Sequence, residues 1–141
     1  MDPLYVILFN SSLLIALTTI HLYWTLGGTV GLKYAFPNYK TSRNNTKSLN
    51  RINLFFITIL LALMAFCFLV QTDIIFEVIS ENNMKWGNRI IAIIFFARSI
   101  GNFTYLGFTK TIKHSLFAKL DTYLYSPLCL FVAVSTFIIT L

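Results

Sequence analysis

Arg98, Asn102 and Tyr105 stand at i, i+4 and i+7, a spacing that puts a guanidinium, an amide and a phenol on one stripe of a helix. The guanidinium is a rigid fork of donors suited to a carboxylate, phosphate or carbonyl oxygen, and the other two groups orient what it holds. Asn10 and His21, eleven residues apart, share a second helical face that Trp24 extends, and His21 is the side chain suited to exchange a proton near neutral pH. Asp121 and Tyr125, four apart, make a third set that Cys129 continues. Arg98 dominates because apolar residues surround it, from Ile90 to Ala97 and again from Ile100 to Phe108. A guanidinium at membrane depth costs about 3 kcal/mol on insertion scales, so it is seldom placed there without a use.

Each group also has a structural use. Arg98 can clamp backbone carbonyls or snorkel, and His21 can complement a helix dipole. Asn10 and Asn102 can bridge helices, and Tyr105, Tyr125 and Trp24 can sit at the membrane interface. Asp121 can cap a helix or pair with a basic loop residue, and Lys110 can act as a charge anchor. The sequence contains no HExxH, Cys-x-x-Cys, paired-Asp or nucleophile-triad motif. Cys67 and Cys129 lie in separate apolar runs without a close Cys or His, so neither a disulfide framework nor a metal site is expected, and no cofactor is implied.

The elements that must hold these residues follow from composition. With 57% hydrophobic and 11% charged residues, the 141-residue chain lies outside the soluble range, where about a quarter of residues are charged. The expected fold is all-α: a single domain over residues 1–141, a bundle of four transmembrane helices. A hydrocarbon core takes roughly 20 helical residues to cross, and four segments approach that length: 4–26, 53–71 with an extension towards 79, 89–109 and 121–141. Gly27-Gly28 suits a left-handed helix end, Pro37 stops the next segment, and Pro127 bends the last helix or marks its start with Ser126 as N-cap. Asp2 stands where a signal peptide would carry basic residues, so the first segment reads as a mature helix.

Lys33, Lys40, Arg43, Lys47 and Arg51 lie between the first two spans, and Lys110, Lys113 and Lys119 between the last two. The positive-inside rule places those loops in the cytoplasm and both termini outside, in the cell membrane. Segregation by loop accounts for the net charge of +6, and nucleic-acid binding is not expected. Counting about 1.5 Å per residue from the cytoplasmic ends puts His21, Tyr105 and Tyr125 roughly 6 to 8 Å inside, Asn102 roughly 10 Å inside and Arg98 near mid-depth. One polar pocket in the cytoplasmic half is therefore expected, lined by the first, third and fourth spans, with Arg98 lacking an acid at its own depth.

Three stretches carry a resemblance: His21-Leu22-Tyr23-Trp24 with Gly27-Gly28, residues 98–110 (RSIGNFTYLGFTK) and residues 117–129 (FAKLDTYLYSPLC). They resemble a family of small bacterial four-helix membrane proteins catalogued as a domain of unknown function, and the likeness covers nearly the whole chain. It implies the four-helix architecture and no activity. In that family an acid often stands where this chain has Asn102, so the resemblance does not imply an ion pair between residues 98 and 102 here.

The expected function is binding of an amphiphile with an anionic or carbonyl head. Arg98 would receive the head, with His21, Asn102, Tyr105 and Tyr125 around it and Asn10, Trp24, Lys110 and Asp121 as secondary candidates. Two alternatives stay open. One is an intramembrane enzyme with His21 as proton carrier and Arg98 as charge stabiliser, and the other is a small oligomeric transporter. Expected partners are the lipid bilayer and a lipid or other amphiphilic ligand, with homo-oligomerisation open.

Overall fold

The computed structural model describes residues 3–36, 51–72, 81–101, 107–108 and 116–140. Their regular elements are all helices: α1 (Pro3–Thr25), the short α2 (Leu32–Ala35), α3 (Arg51–Val70), α4 (Glu81–Ile100), α5 (Leu116–Leu120) and α6 (Ser126–Ile138), with a π-helical turn over Asp121–Tyr125 joining the last two. Among the described residues three helices are long and apolar enough to cross a membrane: Pro3–Thr25, Arg51–Val70 and the continuous run Leu116–Ile138. The third expected span is also a 20-residue helix, but it begins at Glu81, eight residues early. Its first turns hold Asn82, Asn83, Lys85, Asn88 and Arg89, which is why its apolar content falls short of the other three.

Long apolar helices accept hydroxyl residues when each O–H finds a carbonyl in its own helix. Thr18 donates to Leu14 O at 2.7 Å, Thr58 to Leu54 O at 2.8 Å and Ser99 to Phe96 O at 2.7 Å. The end of α1 follows the Gly27-Gly28 expectation. Gly27 takes φ +104°, Gly27 N–H donates to Trp24 O and Gly28 N–H donates to Tyr23 O, the paired bonds of a Schellman cap.

The helices alternate in direction. Thr25 at the end of α1 meets Thr58 near the start of α3 (3.2 Å), Gln71 just past α3 meets Asn88 early in α4, and Asn10 early in α1 meets Thr136 late in α6. Packing is closest between α1 and α3 and between α4 and α6. The two pairs share an apolar core of Leu14, Met64, Ala65, Phe68, Ile91, Phe95, Val132 and Ala133. Towards the ends of α3 and α6 the pairs are tied by polar groups. Gln71 and Asn88 exchange two amide bonds of 2.8 Å, and Asn10 donates to Ser135 and Thr136 at 3.1 and 3.2 Å. Large apolar side chains such as Phe56, Ile93 and Phe137 point outwards and are more than half exposed, a surface that demands an apolar environment.

Candidate functional site

The expected stripe of Arg98, Asn102 and Tyr105 required α4 to run to Thr109; α4 instead ends at Ile100. Gly101 follows at φ +86°, and its N–H still reaches Ala97 O at 2.9 Å, so the glycine ends the helix in the left-handed conformation that other residues avoid. Asn102, Tyr105 and Lys110 lie outside the described residues. The chain comes back at Gly107 (φ +82°) and Phe108, whose N–H donates to Ser99 O at 3.0 Å and satisfies one of the carbonyls that a helix end leaves without a partner. A Cβ on Gly107 would overlap the Ile100 carbonyl, so any other residue there would have to displace backbone. Gly101 and Gly107 thus hold two left-handed backbone positions beside the end of α4.

Shortening α4 moves Arg98 from mid-span into the last helical turn, where a cation also complements the negative end of the helix dipole. At that level it has an acid after all. Arg98 Nη2 donates to Asp121 Oδ1 at 2.8 Å, and the other carboxylate oxygen accepts from Gly107 N–H at 2.7 Å. Asp121 is fully buried, while the Arg98 side chain is 31% exposed. The expectation of an arginine without an acid at its depth is therefore corrected. Depth had been counted from Thr109 and the last helix had been started at residue 121, whereas that helix begins at Leu116 and carries Asp121 inside it.

The π turn explains how that last helix accommodates Pro127. Proline has no N–H for the carbonyl four residues back and its ring crowds that carbonyl; a wider turn relieves the crowding. Ser126 N–H bonds Asp121 O, five residues back, and the helix continues without a break. Ser126 has helical angles on both sides of the junction rather than capping a helix start. Its side chain is completely buried, and its hydroxyl has no hydrogen-bond partner among the described residues. The same holds for Arg98 Nη1. Such groups each cost about 1–3 kcal/mol when left unsatisfied.

On α1, His21 Nδ1 lies 2.8 Å from Leu17 O. A carbonyl only accepts, so Nδ1 carries the proton and Nε2 of the neutral ring is an acceptor. The imidazole packs edge-on against Trp24, whose indole N–H donates to Val30 O at 2.8 Å and whose ring meets Phe36. Trp24 is thus tied into the α1–α2 connection. Tyr125, one turn past Asp121, donates its phenol to Tyr34 O of α2 at 3.3 Å. Asn10 lies at the other end of the bundle and its amide is committed to α6. The structure therefore brings Arg98 and Asp121 into contact, places Tyr125 beside Asp121 in the chain, and separates Asn10 from them.

An apolar groove of about 310 Å³ between α4 and α6 is lined by Ala92, Ile93, Phe96, Ala133, Val134 and Phe137. It contains none of the polar candidates, and Phe96 is turned about 200° from Arg98 around α4. Neither Ser126, read only as a helix cap, nor Gly107 was among the expected site residues. The signal for Gly107 was its position beyond Gly101, with the polar Asn102 and Thr104 between them, a pattern of turns more than of helix interiors.

A family model described as "Protein of unknown function (DUF3995)" matches residues 14–136, from the middle of α1 to the end of α6, and the chain belongs to that family. No curated protein and no solved structure matches the chain.

Proposed function

We propose that this is a multi-pass protein of the cell membrane with four spans, both termini outside and the basic loops in the cytoplasm, that binds an amphiphile by its anionic or carbonyl head at the cytoplasmic end of the bundle. Support for the fourth span comes from the packing of α4 along α6, with the polar first turns of α4 at the outer surface. The alternating helix directions agree with an even number of crossings. Support for the orientation comes from the eight basic residues between the first two and last two spans.

The observation that carries the binding role is the division of labour within Arg98. Asp121 holds one arm of the guanidinium, and the second arm, Nη1, is buried without an acceptor among the described residues. A guanidinium that is already oriented and charge-balanced presents a donor at low reorganisation cost to a ligand oxygen. Arg98→Lys tests this, because an ammonium can keep the charge pair with Asp121 but lacks the planar second arm. Protein purified from membranes carries an amphiphile detectable by native mass spectrometry, and the lysine variant, folded, loses it. A wild-type protein that never carries one would contradict the proposal.

A further inference from the structure

Four residues of the apolar core each have a polar residue seven positions away on their own helix, in the direction of the Arg98 end. Leu14 leads to His21 on α1, Ala65 back to Thr58 on α3, Ile91 to Arg98 on α4 and Ala133 back to Ser126 on α6. Seven residues are two helical turns, about 10 Å, and return a side chain to within about 20° of the same face. Each long helix therefore carries one polar residue two turns from the apolar core, on the face that points inwards.

Thr58 is committed: it is buried, donates to Leu54 O and meets Thr25. The other three each keep a valence without a partner among the described residues. These are a donor on Arg98 Nη1, a hydroxyl on the fully buried Ser126 and an acceptor on His21 Nε2. Among the described residues Asp121 balances the charge of Arg98, so with His21 neutral these groups together carry no net charge. An anion bound there would bring an uncompensated charge into a low-dielectric site, whereas an uncharged head would not.

Resting on the amphiphile-binding reading, we infer that Ser126 and His21 complete the receptor with Arg98, and that its ligand has an uncharged head bearing both a carbonyl or ether oxygen and a hydroxyl. Arg98 Nη1 and the Ser126 hydroxyl donate to the oxygen, and the ligand hydroxyl donates to His21 Nε2. A glycerol monoester of a long-chain acid has this chemistry. A lysophosphatidate of the same chain differs by its charge.

The test compares these two lipids on the purified full chain by native mass spectrometry, in wild type and in Ser126→Ala and His21→Ala. The monoester is expected to be retained in preference to the lysophosphatidate, with retention falling about tenfold in each variant. Thermal unfolding of Ser126→Ala close to or above the wild-type temperature separates lost binding from lost fold. Tighter retention of the lysophosphatidate would overturn the uncharged-head inference and leave amphiphile binding intact. Unchanged retention in both variants would remove Ser126 and His21 from the receptor. If wild type retains neither lipid, amphiphile binding itself fails and this inference with it.

Discussion

Asp121 is the residue on which the Arg98 end of the bundle turns, because its two carboxylate oxygens hold different elements: Arg98 at the end of α4 and the backbone of Gly107 in the returning segment. Removing one member of a buried pair leaves the other uncompensated, at a cost of about 3–5 kcal/mol when both are enclosed. Arg98 is 31% exposed, so Asp121→Ala should cost nearer 2 to 3 kcal/mol, an order-of-magnitude figure for a pair that water reaches on one side. Thermal unfolding in detergent would show it, and a double-mutant cycle with Arg98→Ala should return coupling well above that of a surface pair. Ser126→Ala behaves oppositely. Deleting a hydroxyl that has no described partner should change stability by less than about 1 kcal/mol, or raise it. Gly107→Ala should cost about 1–3 kcal/mol, since it adds a Cβ against the Ile100 carbonyl at φ +82°.

At the scale of elements, the π turn sets the phase between α5 and α6. An extra residue in one turn rotates everything before it by about 100° relative to a regular α-helix. Deleting Leu124, which is half exposed, should restore α-helical pitch, swing Asp121 away from Arg98 and reproduce the stability loss of Asp121→Ala with the carboxylate still present. Leu124→Ala, which keeps the length, should retain wild-type stability within about 0.5 kcal/mol, as surface substitutions do. Thermal unfolding of the two variants distinguishes a phase effect from a side-chain effect. This scale also explains what the sequence could tell. Apolar length revealed α1, α3 and most of the last helix, and the Gly27-Gly28 pair announced the end of α1. The end of α4 was illegible because Phe103, Leu106 and Phe108 continue the apolar pattern past Gly101, and hydropathy does not record the left-handed turn. That one boundary displaced Arg98 in depth and concealed its pairing with Asp121.

Across the whole molecule, two tight helix pairs share one apolar core, with amide and hydroxyl ties at one end and the Arg98–Asp121 pair at the other. The fully buried Asn10 links α1 to α6, so Asn10→Ala should lower stability by about 1–3 kcal/mol through the hydroxyls it leaves behind, without affecting ligand retention at the far end. Loss of ligand in that variant at unchanged fold would argue that the two ends are coupled. The proposed orientation is checked by Lys40→Cys: a membrane-impermeant thiol reagent should label it only after the membrane is opened, with Cys67→Ala and Cys129→Ala as the background. The most direct measurement for the account is native mass spectrometry of the full chain extracted from membranes, wild type beside Arg98→Lys. Wild type should carry a bound amphiphile of discrete mass, and the folded lysine variant should lose it. Equal retention by the two proteins would contradict the central claim that the second arm of Arg98 receives the head group.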